Sequence, residues 1–389
     1  MRTLIKILRN TVISLLVIYL FLFSFMRVIH YPEPIATIRL GIAPASKTPT
    51  LMPWHTIAPA TSPKAWAVGT KVTPTQVSWD GKKISFDEFL TTTNSNAFLV
   101  IRDGVITYEW YKKGVTQHTQ LPSYSVAKTM TSLMIGQLIE QGKINESDTF
   151  VKFFPEYKTG TNFDDVTVQS LLDMQAGVGV VDDYPSGPSG WGVGIAQMYA
   201  TTDLNFFLEH NRKMSWDPGT QSEYRSVDTQ MLGFIIKKVT GMRIADYFSK
   251  NVWQPAGAED NAYWNVDRVG GLEKTFCCFN ATARDYARIG SLILNNGASQ
   301  IGTANVISAN WMKRLENPVT TLDHNWGYGA QLWHPYADSM MMLGLHGQYI
   351  LIHPSSHTVI VKLSDEPTDN GNFEELTATV LHDMALEKN

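Results

Sequence analysis

Between Thr11 and Met26 almost every position is apolar, and Arg2, Lys6 and Arg9 stand ahead of that run. Positive charge before a greasy stretch is the pattern of a signal peptide or an uncleaved signal anchor, with the basic end kept in the cytoplasm and the rest exported. No small-residue cleavage site follows, and no nearby Cys offers a lipid attachment point. Residues 1–29 therefore read as a signal anchor, with a cleaved signal peptide as the alternative, which makes a membrane one expected partner and places the remainder outside the cytoplasm, periplasmic or extracytoplasmic. From 30 to 83 the chain is rich in Pro, Thr and Ala without sustained periodicity, as expected of a linker and surface arm.

Residues 84–389 carry the patterning of a folded domain. In "AFLVIRDGVITYEWYKKG" two β-prone runs flank Asp103-Gly104, a strong hairpin signal. In "PSYSVAKTMTSLMIGQLIEQGKI", Val126, Met130, Leu133 and Leu138 recur at helical spacing, so a buried helix is predicted to start near Ser125 and to end at Gly142. From about 145 to 310 helical patterns dominate, as in "DTQMLGFIIKKVTG" and "TARDYARIGSLILNNG". Short strand patterns return after 326 in "WGYGAQLW", "GQYILIH" and "TVIVKLS", and "FEELTATVLHDMALEK" is amphipathic. Strands at both ends of a helical stretch predict an α/β fold, an antiparallel sheet flanked by helices with an inserted, mostly helical domain.

Composition narrows the partners. At 389 residues with 44% hydrophobic positions the chain can bury a large core, and a net charge of -4 leaves no basic stripe for phosphates. Nucleic acid is excluded on that ground, and small molecules or peptides are expected instead. The two cysteines, Cys277 and Cys278, are adjacent, and neighbours rarely reach disulfide geometry. They read as two small apolar residues. Neither their spacing nor any helix-borne His pair makes a metal pattern, so no metal and no cofactor is expected.

Ser125 is the only serine with Lys three residues on, at Lys128. Residues at that spacing share a helix face, so the amine can sit beside the hydroxyl. A serine needs an adjacent base to become a nucleophile, and lysine can be that base once burial has lowered its pKa. The helix start also aims backbone N–H groups at the place where an oxyanion would develop. The spacing alone is a weak signal.

Its context strengthens it. After "SYSVAK" come, in order, "VTVQSLLDMQAGV", "DPGTQSEYRSVDTQMLGFIIKKVTG", "FNATARDYARIGSLILNNG" and "GLHGQYILIHPSSHTVIVKLS". Over residues 95–385 this set resembles the serine beta-lactamase, penicillin-binding carboxypeptidase and esterase superfamily, and is most similar to its 6-aminohexanoate-dimer hydrolase branch. The resemblance implies a serine hydrolase that forms an acyl-enzyme on Ser125, with Lys128 as base and an amide or ester as substrate. A beta-lactamase or D-alanyl carboxypeptidase acting on penicillins or cell-wall peptides is the alternative activity. A catalytically impaired ligand sensor is the non-enzymatic one.

The remaining roles are also implied by the resemblance. The family's second motif, Tyr-x-Asn or Ser-x-Asn, corresponds to Tyr224, Arg225 and Ser226, so Tyr224 would protonate the leaving group and Ser226 would replace the substrate-binding amide. The third motif, Lys-Thr-Gly or a His-bearing variant, corresponds to His346, Gly347 and Gln348, which would line the site. The missing lysine weakens a penicillin reading, and Gln348 or Tyr349 would supply the second oxyanion N–H. In the Gly- and Pro-rich loop "VVDDYPSGPSGWGVG", Tyr184 would contact the substrate amide. Asp182 and Asp183, being adjacent, do not suit a glycosidase pair.

Overall fold

The computed structural model describes residues 2–183, 194–299, 305–366 and 372–387. Its centre is a nine-stranded sheet whose strands, from one edge to the other, are 320–321, 327–329, 332–336, 339–344, 348–353, 358–364, 95–102, 105–111 and 67–68. All neighbours are antiparallel except the short edge strand Ala67–Val68, which runs parallel to Val105–Tyr111. The expected hairpin is present, with Asp103 and Gly104 at φ of 49° and 77°, the left-handed region that a tight two-residue connection requires.

Alternation along the central strands divides the core in two. Leu99, Ile101, Ile350, Ile352, Val359 and Val361 point to one face, where they join the core that includes the Ala283–Leu294 helix. Phe98, Val100, Tyr349, Leu351 and Ile360 point to the other, beneath Val380, Leu381 and Met384 of the C-terminal helix Phe373–Leu386. Successive side chains of a strand take opposite faces, so a sheet buried on both sides is mostly apolar, as these strands are. The fold is thus α/β, an antiparallel sheet between helices with helices from Phe150 to Glu316 inserted between its outer strands.

Two regions add to the sequence-based picture. A small four-stranded sheet, 54–57, 262–265, 279–281 and 121–122, joins the amino-terminal arm to the helical part. The stretch 30–83, expected as linker and arm, is built into the fold. Ser46 donates through its backbone N–H and its hydroxyl to Asp365, Thr48 Oγ1 lies 3.1 Å from Tyr124 Oη, and buried Trp66 donates to the Arg284 carbonyl. At the amino end, Arg2–Val28 forms one helix with no buried residue. At 1.5 Å per residue its 27 residues reach about 40 Å, long enough to cross a hydrocarbon core of about 30 Å.

Candidate active site

The strand Leu121–Pro122 pairs with Asn280 and Ala281, and Ser123 N–H donates to the Phe279 carbonyl. That pairing lays the Phe276–Cys278 turn against the start of the Val126–Glu140 helix. Ser125 is the residue immediately before this helix, and Tyr124 before it takes φ of 43°, which bends the chain sharply into the first turn. The helix is apolar on almost every side and correspondingly buried.

Lys128, one turn in, is 1% exposed. Its Nζ lies 2.8 Å from Ser125 Oγ, 2.8 Å from Ser226 Oγ and 2.9 Å from the Phe276 carbonyl oxygen. Burial pulls its pKa from 10.5 down to about 7, against the opposing pull of the Asp182 and Asp228 carboxylates. The Tyr224 ring lies with its centroid 4.8 Å from the Lys128 amine and stacks on Trp333 at 5.4 Å. The Tyr224 phenol hydrogen-bonds Ser125, and burial holds its pKa well above the ordinary tyrosine value, so it stays protonated at neutral pH.

Ser226 opens the Ser226–Thr240 helix and is itself held from outside. Its backbone N–H donates to Asp182 Oδ1 at 2.8 Å and its hydroxyl to Asp182 Oδ2 at 2.5 Å. Ser226 therefore lies within the polar network that carries Lys128. Asp182 is a residue that spacing could not assign, because its partner is 44 positions away. Asp228, buried on the same helix with a pKa raised well above the usual range by burial, was equally invisible in the sequence. Between Tyr224 and Ser226, Arg225 turns away and braces the loop, donating to the Val178 carbonyl and to Ser215 Oγ above the Trp216 ring.

The third-motif residues close the other side. The end of strand Ser339–Gly344 abuts the nucleophile turn so tightly that a Cβ at Gly344 would lie 2.2 Å from the Ser123 carbonyl oxygen and 3.1 Å from Ser125 N. His346, at φ of 64°, packs edge-on to Tyr124 with ring centroids 4.8 Å apart, and its Nδ1–H donates to the Glu366 carbonyl. Gly347 takes φ of 79° against Glu366. Gln348 is fully buried, and its amide is engaged by the Leu345, His346 and Ser364 backbone, an internal brace rather than a group facing a ligand. Gln348 and Tyr349 pair with Gly344 and Leu343 inside the sheet, so the backbone beside Ser125 N is that of Gly344. Tyr184 lies outside the described residues.

Cys277 and Cys278 depart from expectation: they are joined to each other by a disulfide. The chain turns at Cys278, where φ is 71°, and both sulfurs are buried in the segment that carries the Phe276 carbonyl to Lys128.

A sequence-family pattern described as Beta-lactamase matches residues 86–383, the whole of the region that builds this site. The chain belongs to the Beta-lactamase family. Among its relatives, the 6-aminohexanoate-dimer hydrolase of Paenarthrobacter ureafaciens is 27% identical over 323 residues, covering 77% of this chain and 80% of that one. Of solved structures, a Bacillus anthracis protein provisionally assigned as a 6-aminohexanoate-dimer hydrolase superposes with a TM-score of 0.78 at 23% identity, covering 91% and 94% of the two chains. The octameric penicillin-binding protein homologue of Pyrococcus abyssi gives 0.59 at 17% identity, over 77% and 76%. The fold is that of beta-lactamase-like proteins.

Proposed function

We propose that this chain is a membrane-tethered serine hydrolase that cleaves amide or ester bonds through an acyl-enzyme on Ser125. The observation that carries the reading is the placement of Lys128. A neutral amine has two N–H groups and one lone pair; with the N–H groups donated to Ser226 Oγ and the Phe276 carbonyl, the lone pair is left for the Ser125 hydroxyl proton. A pKa of about 7 makes that neutral form well populated at physiological pH.

The steps follow. Ser125 Oγ bonds to the substrate carbonyl carbon as its proton passes to Lys128. Negative charge on the carbonyl oxygen is stabilised by the Ser125 N–H at the helix start and by backbone N–H of the strand edge at Gly344. The C–N or C–O bond then breaks, and the departing atom takes a proton through the Tyr224 phenol, which Lys128 restores. Water repeats the sequence on the acyl-enzyme and frees Ser125. His346 and Gly347 shape the rim, and Ser226 with Asp182 holds the lysine.

Resemblance to a 6-aminohexanoate-dimer hydrolase over four fifths of its length supports a linear amide as substrate class. The Arg2–Val28 helix supports a tether, with residues 30–389 outside the cytoplasm. Exposure to a fluorophosphonate should add one adduct by intact mass, absent in Ser125→Ala. A stable penicillin adduct with no turnover of linear amides or esters would instead favour the penicillin-binding alternative.

A further inference from the structure

At the opposite end of strand Gln348–His353 from Ser125, about 17 Å along it at the usual rise per residue, three side chains converge. Asp338, in the turn after strand Leu332–Tyr336, places Oδ1 2.8 Å from His382 Nε2 and Oδ2 3.2 Å from His353 Nε2. His382 comes from the C-terminal helix, and the donor atoms of all three residues lie within 4.8 Å of one another. We propose that Asp338, His353 and His382 form a binding site for a divalent transition-metal ion, Zn²⁺ by ligand type, with solvent completing its coordination.

His353 is oriented through its other ring nitrogen. Thr358 Oγ1–H donates to the Ser356 carbonyl, and Ser356 Oγ–H donates in turn to Thr358 Oγ1 at 2.8 Å. Ser356 Oγ therefore has only lone pairs for His353 Nδ1, 2.7 Å away, so Nδ1 carries the hydrogen. That leaves Nε2 as the ring atom turned toward the Asp338 carboxylate, 3.2 Å from Oδ2. Ser355 Oγ, 3.4 Å from the same nitrogen, is too distant to be a good donor.

A metal ligand whose other ring nitrogen is fixed by a hydrogen bond is the usual second layer of a histidine metal site. His353 is 1% exposed and His382 13%, the latter stacked on Tyr336 at 3.9 Å, so both rings are held. Asp338 is 46% exposed, which leaves the site open to solvent. Two imidazoles and a carboxylate suit Zn²⁺, whose bonds of about 2.0–2.2 Å put tetrahedral ligand atoms roughly 3.3 Å apart. Asp338 meets the two rings through different oxygens, at 2.8 and 3.2 Å, and one ligand atom from each residue lies within 4.8 Å of the others, so a shared ion would draw the carboxylate and the two rings together. An ion here would tie the C-terminal helix to the sheet, remote from the acyl-transfer chemistry.

The test uses the full chain, purified without a polyhistidine tag, stripped with EDTA and dialysed against micromolar ZnCl₂. Wild type should retain one zinc per chain by elemental analysis and melt several degrees higher than the stripped form. His382→Gln and the solvent-facing Asp338→Asn should each lose both effects while keeping ester turnover. Zinc retention by both variants at the wild-type level, or none in wild type, would overturn the proposal.

Discussion

Lys128 Nζ lies 2.8 Å from Ser226 Oγ. Because Ser226 spends its own hydrogen on Asp182, its oxygen is free to accept from the amine. Ser226→Ala should therefore lower kcat by about 10- to 100-fold through misorientation of the lysine, with little change in KM, since a charge-linked hydrogen bond contributes about 1.5–3 kcal/mol. Steady-state kinetics on a nitrophenyl ester would check it; a KM-only effect would place Ser226 in substrate binding instead.

The pH dependence follows from the sign of the lysine shift. Burial lowers Lys128 to about 7, and the base is active only when unprotonated, so kcat/KM should rise with pH through about 7 and then level. Asp182 opposes that lowering by favouring the ammonium form. In Asp182→Asn the rising limb should move to lower pH, with a reduced plateau because Ser226 loses its anchor. A limb that moved to higher pH would contradict the assignment of the base.

Ser125→Ala and Lys128→Ala should each remove more than about 10⁴-fold of turnover, and the double substitution little more than either, because groups acting as one unit are not additive. Tyr224→Phe should be more selective. Amide cleavage needs the leaving nitrogen protonated and should fall by about 10²- to 10⁴-fold. A nitrophenyl ester, whose phenoxide leaves readily, should fall far less. Equal losses on both substrates would remove the proton-donor role.

Gly344 tests the strand edge. A methyl group there would meet the Ser123 carbonyl oxygen at 2.2 Å, backbone that cannot swing aside. Gly344→Ala should cost about 1–3 kcal/mol of stability by overpacking and displace the strand from Ser125, lowering kcat. Thermal melts beside ester kinetics would show whether both fall together.

Truncation separates the amino-terminal helix from the arm. Removing residues 2–28 should give a soluble, active protein, because none of that helix's own residues is buried. Removing residues 2–57 should not. It deletes the strand Trp54–Ile57 that pairs with Ala262–Asn265, the Pro49 and Met52 carbonyls that accept from Asn265 Nδ2, and the Thr48 contact to Tyr124 beside Ser125. Full activity in the longer truncation would show the arm to be dispensable.

What could be read along the chain was local. Apolar spacing marked the Val126–Glu140 helix, Asp103-Gly104 marked the hairpin, and Ser125 and Lys128 are three residues apart, a separation whose geometry the helix dictates. The Arg2–Val28 helix was legible because charge and hydropathy suffice to recognise it. The Pro-rich stretch 30–83 reads only as a linker and surface arm because its partners, Tyr124, Asn265, Arg284 and Asp365, are remote in sequence and leave no periodic trace. The same holds for Asp182 under Ser226, for the Phe276 carbonyl on Lys128, and for Asp338, His353 and His382. Covalent connectivity limits what residues a few positions apart can do, so pattern reveals it. Contacts between distant segments exist only once the sheet and helices have packed, and there the tertiary structure alone decided which polar groups meet.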